Sequence, residues 1–110
     1  MTSVKVVKPL DPEQLKLAIM KNPVVVPVDA KTWGFQTYYR GVLNSTDCGI
    51  AQNHVVLAVG FGKDQDSGLD FFWVKNSWGH NWGYNGFAKI SASKDNICGI
   101  LNQPSYPSLD

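Results

Sequence analysis

A helical spacing of apolar residues marks the chain between positions 11 and 22. Leu15, Ala18 and Ile19 recur at intervals of three and four positions, which predicts an amphipathic helix with one buried face. Asp11 is followed directly by a proline, a pair typical of the N-cap and the first helical position. A second proline at position 23 predicts the end of the helix, because the residue before a proline disfavours helical geometry.

Most of the remaining pattern is extended, with runs of β-branched and aromatic residues. Strands are predicted at residues 4–7, 24–28, 54–61, 69–76 and 86–91. A polar turn at residues 63–68 joins the third and fourth into a hairpin, and Pro27 indicates an edge or bulge position in the second. We expect a short helical turn at 34–39, a loop at 41–53 and a C-terminal coil anchored by Tyr106. One early helix followed by strands predicts an α+β fold on an antiparallel sheet that closes like a barrel.

The composition fits one domain covering residues 1–110. Hydrophobic residues make up 44% of the chain, enough to bury a core at this length. The net charge is +1 and 17% of the residues are charged, which argues against a nucleic-acid footprint or a polybasic membrane patch. No apolar run approaches the ~20 residues of a membrane span. We therefore expect no nucleic-acid partner and no membrane partner. We also predict no cofactor, and no metal unless the weak Cys/His arrangement described next is present.

Two cysteines, Cys48 and Cys98, leave three arrangements open. Both could be free buried thiols, which behave as small apolar side chains. A disulfide between them would close a loop of about fifty residues, contribute ~4 kcal/mol and indicate an oxidising compartment. A zinc site shared with His54 and His80 is the weakest of the three, because no CxxC or HxxxH pair is present to form it.

The run NSWGHNWG at residues 76–83 carries a dense group of polar and aromatic side chains. His54 opens one strand of the predicted hairpin and Asn76 closes the other, so antiparallel pairing would bring them together. An amide accepting from one imidazole N–H would fix the tautomer, and the Trp78 indole would exclude water from that bond. Such an arrangement would form the base half of a cysteine-nucleophile site. Taken singly, His54 could be a structural strand residue, Asn76 a turn former, and Trp78 and Trp82 plain core.

Five segments of the chain resemble the papain family of cysteine proteases. QNHVVLAVGFG at residues 52–62 is similar to the family's histidine segment, and WVKNSWGHNWG at residues 73–83 is similar to its asparagine segment. Residues 86–90 resemble the strand that follows, residues 98–107 the C-terminal end, and residues 22–42 the start of the same lobe. The resemblance covers the chain from about Leu10 to the C-terminus, and its two central motifs are highly specific.

The resemblance implies a role for each side chain of this group. His54 would act as general base and acid beside a cysteine thiolate, and Asn76 would orient its ring. Trp78 would shield that contact, and Trp82 would line the leaving-group side of the cleft. The residues implied for the substrate pocket and its surroundings are Pro27, Gln52, Asn53, Val55 and Gln103.

The resemblance also implies what this chain lacks. Cys48 and Cys98 match a disulfide of this lobe, so neither is placed to act as the nucleophile. In the family, the nucleophilic cysteine and an oxyanion-hole glutamine lie in a separate, mainly helical N-terminal lobe. We expect residues 1–110 to be the C-terminal, β-barrel lobe alone, without that lobe or a propeptide, and inactive by itself. Asn53 stands where many relatives carry aspartate, which removes one negative charge from the cleft.

The implied partners are the cysteine-bearing N-terminal lobe of the same protease, a peptide or protein substrate, and a cystatin-like protein inhibitor or a second copy. A non-catalytic binding module is the main alternative, because an uncovered apolar cleft wall would bind other proteins. That wall would consist of Gln52, Val55, Trp78 and Trp82. A pseudoenzyme is a weaker alternative. The resemblance implies a lysosomal, vacuolar or secreted protein, and the Asn44-Ser45-Thr46 sequon is consistent with that route.

Overall fold

The computed structural model describes residues 2–109, which form two helices and seven strands. The strands are β1 (Thr2–Val6), β2 (Val24–Val28), β3 (Val42–Leu43), β4 (His54–Lys63), β5 (Asp70–Lys75), β6 (Phe87–Ser91) and β7 (Ser105–Leu109). The helices are α1 (Pro12–Ile19) and α2 (Trp33–Gln36), and 3₁₀ turns occur at Thr46–Cys48 and Ile97–Gly99. The longest helix therefore precedes most of the strands, as the apolar pattern predicts.

The seven strands form one sheet in the order β1-β7-β2-β4-β5-β6-β3. Neighbouring strands are antiparallel except β3 and β6, which run parallel. The α+β prediction is confirmed. The expected barrel closure and a wholly antiparallel sheet are not found, because within residues 2–109 the sheet ends at β1 on one side and at the two-residue β3 on the other.

Helix α1 forms where the sequence predicts it, and its first turn is chemically defined. Asp11 is the N-cap in an extended conformation, and its side chain accepts a hydrogen bond from Gln14 N at 3.2 Å. Leu15 and Ile19 are buried, and the helix packs against β2 and β4. The helical spacing of apolar residues therefore marks the face that covers the sheet.

Two segments differ from the sequence prediction. The predicted loop at residues 41–53 contains β3 and a 3₁₀ turn, and the predicted C-terminal coil is strand β7. Strand β7 pairs with β1 along its length but meets β2 only at Val25 and Ser105. Both Pro107 in β7 and Pro27 in β2 therefore lie where one side of the strand has no ladder partner, a position in which proline is tolerated.

The core lies on one face of the central strands. Its fully buried strand side chains are Val24, Val26, Val28, Ala58, Phe72, Val74, Ala88 and Ile90. Phe35 from α2 and Leu15 from α1 complete it. Within the described residues, no helix has the length and apolar character to cross a membrane. This packing fixes the ends of β4 and β5, where the candidate site lies.

A partly buried ion pair joins the turn between β4 and β5 to strand β6. Lys89 Nζ donates to Asp64 Oδ1 at 2.9 Å, and the two side chains are 17% and 10% exposed. The rings around the ammonium are Phe71, Trp73 and Tyr84, with centroids at 4.9, 5.3 and 5.5 Å. The hydrogen bond from Lys89, followed by those from Ser67, lowers the pKa of Asp64 to about 2.

Asp64→Asn should flatten the acid side of the stability profile. The folded-state pKa of Asp64 lies below its ordinary value of 3.8. The ion pair therefore contributes stability that is fully present above pH about 4 and lost as the pH falls through about 2. In that window we expect the urea midpoint to fall more steeply for the wild type than for the variant. Asp66→Asn, exposed on the same turn, is the matched control. Equal slopes for Asp64→Asn and the wild type would contradict this role.

Candidate active site

The hairpin of β4 and β5 brings His54 and Asn76 together. His54 is the first residue of β4, and Asn76 directly follows the last residue of β5. The register pair Leu57–Lys75 places the start of β4 beside the end of β5. Asn76 N donates to Gly86 O at 2.9 Å, which holds the chain as it leaves the strand. The two side chains therefore meet where these two central strands begin and end.

The imidazole of His54 is hydrogen bonded to the Asn76 amide. His54 Nε2 lies 2.8 Å from Asn76 Oδ1. Because an amide oxygen only accepts, Nε2–H is the donor, and Nδ1 carries the lone pair of the neutral ring. Ser77 N donates to the same Oδ1 at 2.8 Å, which fixes the direction of the amide. Asn76 is 4% exposed while His54 is half-buried, so the bond is sheltered and part of the ring remains open.

The Trp78 indole lies against the imidazole. The two ring centroids are 5.3 Å apart with an interplanar angle of 26°. Trp78 also makes edge contacts with Phe35 at 5.3 Å and with Trp82 at 5.7 Å. It is 42% exposed, so one part of the indole packs on the site and another faces outward. The indole therefore covers part of the imidazole ring.

Trp82 lies beneath Trp78 and not in an exposed wall. It is 7% exposed, so the expectation that it forms part of the open cleft surface is wrong. Its Nε1–H donates to Phe35 O at 2.8 Å, which satisfies the indole inside the core. The ring also packs against Phe35 at 5.0 Å and Tyr38 at 5.4 Å. Trp82 therefore supports the site from below.

The two cysteines are joined in a disulfide between Cys48 and Cys98. Both are buried, at 1% exposure, and neither is free. The free-thiol and zinc arrangements are thereby excluded for this pair. Among the described residues, no group of three or more His, Cys, Asp or Glu side chains could hold a metal ion. The bridge connects the two 3₁₀ turns, and the first of these precedes the loop that leads to β4.

The predicted substrate residues are distributed over two strands and two loops. Pro27 is buried in β2, and its register partner Val55 in β4 is 60% exposed. Gln52 and Asn53 are exposed on the loop before β4, and Gln103 is exposed before β7. Asn53 differs from the others because its side chain is held by hydrogen bonds to the residues after β2.

A surface depression of about 450 Å³ brings two of the predicted site residues together. Val55 and Asn76 both line it, and Lys75 and Ser77 flank Asn76 there. The other predicted substrate residues are not among the side chains that line this depression. The chain therefore provides part of a concave surface that reaches Asn76.

Two buried residues of this region were not predicted as part of the site. Asp29, 8% exposed, directly follows β2 and accepts a hydrogen bond from Asn53 Nδ2 at 2.9 Å. Phe35 supplies the carbonyl that holds Trp82 and the ring that Trp78 contacts. A charged residue at the end of an apolar strand was an available signal for Asp29. Phe35 offered none beyond an aromatic residue in a predicted helical turn.

The fold matches solved structures of cysteine proteases. The bromelain protease from Ananas comosus, solved in complex with the E64 inhibitor, gives a TM-score of 0.87 and 37% identity, over 97% of this chain and 50% of that chain. The proform of the Amb a 11 cysteine protease, a ragweed pollen allergen, gives a TM-score of 0.88 and 35% identity, over 98% of this chain and 34% of that chain. These similarities define the class of the fold.

The chain belongs to the papain family, because a sequence model described as papain family cysteine protease matches residues 1–108. It is 44% identical over 107 residues to Cysteine proteinase 3 of Dictyostelium discoideum, covering 96% of this chain and 31% of that protein. It is 52% identical over 88 residues to Cathepsin L1 of Drosophila melanogaster, covering 78% of this chain and 23% of that protein. The resemblance is confirmed, and the chain spans less than a third of the length of these two relatives.

Proposed function

We propose that this chain supplies the general base and its orienting amide to a papain-like cysteine peptidase. The observation that carries the proposal is the 2.8 Å contact between His54 Nε2 and Asn76 Oδ1. Within residues 2–109 this contact leaves Nδ1 without a hydrogen-bond partner and able to take a proton from a thiol. The stacked Trp78 indole restricts the access of water to the imidazole.

In the complete enzyme, His54 would move protons in both half-reactions. Nδ1 takes the thiol proton, and the thiolate attacks the carbonyl carbon of the scissile bond. The imidazolium then gives that proton to the leaving amine, and a thioester forms. Water attacks the thioester with His54 again as the base, which releases the acid and restores the thiol. The Asn76 Oδ1 accepts from Nε2–H and so keeps that proton on Nε2. Nδ1 is therefore the nitrogen that exchanges protons with the thiol and the leaving amine.

The nucleophile would come from another part of the protease. The chain has two cysteines, Cys48 and Cys98, and both sulfurs are used in the disulfide. We place the reactive cysteine, with an oxyanion-forming glutamine, on an N-terminal lobe that faces His54 across a cleft. Residues 1–110 would then act as the C-terminal lobe. Without thiolate and oxyanion hole, this chain lacks the groups that supply most of the acceleration and should be inactive by itself.

The substrate, a peptide or protein, would bind against the exposed surface around Val55. This side chain is 60% exposed and lines the depression that also reaches Asn76. An apolar substrate side chain would pack against Val55. A polar one would hydrogen bond to the exposed amides of Gln52 and Gln103. The exposed part of the Trp78 indole would contact the leaving-group side of the peptide. The buried residues Pro27 and Trp82 would shape the cleft from beneath, and the exposed Asn53 would lie on the loop beside it.

Co-refolding with the cysteine-bearing lobe of a related protease tests this function. Cleavage of a fluorogenic dipeptide amide is followed in the mixture and with each lobe alone. We expect hydrolysis in the mixture only, and we expect an epoxide that traps thiols to stop it. A folded, associated pair without hydrolysis would reject the catalytic proposal.

A non-catalytic binding module is the second candidate, and the exposed apolar side chains of Val55 and Trp78 favour it. Such a module would hold a partner lobe, a cystatin-like inhibitor or a second copy through this surface. The co-refolding assay separates the two candidates. Association that is lost in Val55→Asp, with no hydrolysis in the wild-type pair, would favour binding alone.

Asn76→Ala should lower turnover less than loss of the histidine. The imidazole remains, but the hydrogen bond that fixes its tautomer and direction is removed. Misorientation of a catalytic group by about 1 Å costs roughly 10²-fold, and we expect a fall in kcat of about that size. The measurement is kcat and KM in the co-refolded enzyme. Asn81→Ala, an exposed asparagine in the same Gly-rich turn, is the matched control and should keep wild-type turnover. Unchanged kcat in Asn76→Ala would contradict the orienting role.

We also propose an oxidising location, either lysosomal, vacuolar or secreted. The disulfide between Cys48 and Cys98 supports it, because such bonds persist outside the reducing cytosol. The sequon at Asn44 lies on an exposed loop and is consistent with the same route.

A further inference from the structure

Asp29 is a buried carboxylate that the proposed chemistry does not use. It is 8% exposed and follows the last residue of β2, Val28, whose register partner is His54. Its backbone N donates to Cys98 O at 2.8 Å, which ties this residue to the disulfide region. A negative charge is therefore buried beside the strand pair that carries the imidazole.

The Asp29 carboxylate collects donors from the loop that precedes β4. Its Oδ1 accepts from Asn53 Nδ2 at 2.9 Å and from Lys31 N at 3.3 Å. Its Oδ2 accepts from Ala51 N at 3.2 Å, and Asn53 Oδ1 accepts from Ala30 N at 2.8 Å. The Asn53 hydrogen bond is the main cause that lowers the pKa of Asp29, although burial acts in the opposite direction. The Asp29 side chain is therefore charged at neutral pH. Asp29 holds the loop before β4, and Asn53 in turn holds the segment after β2 through Ala30 N.

The loop backbone closes onto this carboxylate at Gly49. This residue has φ of +79°, and a side chain here would collide with Asp29 Oδ2. Residues 50–53 have no regular secondary structure and exposed side chains, so little packing orders them. Among the described residues, a hydrogen bond from Asn102 Nδ2 to Ile50 O at 3.0 Å holds the start of the loop. The Asp29 carboxylate holds its end.

We propose that Asp29 and Asn53 form a clamp of positioning residues that sets the His54 imidazole against Asn76. The inference rests on the proposed function of His54 as the base. Asn53 is covalently next to His54 at the open end of β4, so any movement of Asn53 moves the residue that carries the ring. A displacement of ~1 Å in a catalytic site costs about 10²-fold in rate, which is why the loop needs a fixed anchor.

Nitrogen-15 NMR on this 110-residue chain tests the clamp through the His54 imidazole signals, without an assay of peptide hydrolysis. The His54 Nε2–H that donates to Asn76 should exchange slowly with water, and His80→Ala assigns the signal because the chain has two histidines. Asp29→Asn removes the charged acceptor, and Asn53→Asp sets two carboxylates against each other. In each variant we expect Nε2–H exchange to rise about tenfold or more, the change expected from losing one charged hydrogen bond.

Swapping the two side chains between positions 29 and 53 should restore slow exchange of the His54 Nε2–H. In the double variant Asp29→Asn with Asn53→Asp, the amide donates from position 29 and the carboxylate accepts at position 53. Ala30 N and Ala51 N each keep an oxygen acceptor, and only the longest bond, from Lys31 N, is lost. We expect exchange close to the wild-type rate.

Asp64→Asn is the matched control, because it makes the same chemical change at the far end of β4. It should weaken the protein and leave His54 exchange at the wild-type rate. Wild-type exchange in folded Asp29→Asn would overturn the clamp, and so would a folded double variant that exchanges as fast as the single variants. If a single variant does not fold, the double variant decides: a folded protein with slow exchange supports the clamp, and any other result rejects it. Since no thiol takes part, the clamp and the peptidase function can fail independently.

Discussion

Replacing His54 with alanine should abolish peptide hydrolysis by the co-refolded two-lobe enzyme while this chain stays folded. The proposed mechanism gives the imidazole every proton transfer, so nothing else in the site takes its place. Loss of one member of a nucleophile–base unit costs on the order of 10⁶-fold in a protease triad, and we expect kcat to fall by at least ~10⁴-fold. The measurement is kcat/KM for a fluorogenic dipeptide amide, with active sites counted by thiol titration.

The structural cost of His54→Ala should be small. The variant loses one hydrogen bond and one ring contact, and Asn76 Oδ1 keeps its second donor, Ser77 N at 2.8 Å. We expect the free energy of unfolding to fall by about 1–2 kcal/mol. His80→Ala is the matched control, since His80 is exposed in the Gly-rich turn and has no proposed part in proton transfer. Hydrolysis at the wild-type rate by a folded His54→Ala enzyme would contradict the assignment of the base.

The parts of the fold with strong local signals were predictable from sequence. Helix α1 has its N-cap, its proline and its apolar spacing within one short segment. Strands β4 and β5 are rich in β-branched and aromatic residues and are separated by a polar turn, so their hairpin followed from neighbours in sequence. The meeting of His54 and Asn76 then followed from the geometry of an antiparallel pair.

The parts that depend on distant partners were not predictable. Strand β3 has two residues, too few to show a period, and it exists because β6 lies beside it. Strand β7 contains a proline and forms because β1 pairs with it from the other end of the chain. Trp82 packs against Phe35 and Tyr38, and the carbonyl of Phe35, 47 residues away in sequence, accepts from its indole N–H. Asp29 and Asn53 likewise meet only in the folded sheet.

Removal of the disulfide should destabilise this chain by ~4 kcal/mol in the chain-entropy model. Cys48 and Cys98 are separated by 50 residues, so the bridge restricts a large part of the unfolded chain. Domains of this size are stable by about 5–15 kcal/mol, so the loss is a large fraction of the total. The double variant Cys48→Ala with Cys98→Ala is preferred to serine, because both positions are 1% exposed and a hydroxyl would be buried there. The measurement is the urea midpoint.

The wild type in reductant provides the control for the double-alanine variant. Both should unfold at the same urea concentration, and the variant should not respond to reductant. The effect should reach the candidate site before the sheet unfolds, because Cys98 O accepts from Asp29 N at 2.8 Å and Cys48 precedes the loop to His54. We therefore expect faster Nε2–H exchange of His54 at urea concentrations where β4 and β5 are intact. An unchanged midpoint would mean that buried contacts alone hold the two 3₁₀ turns together.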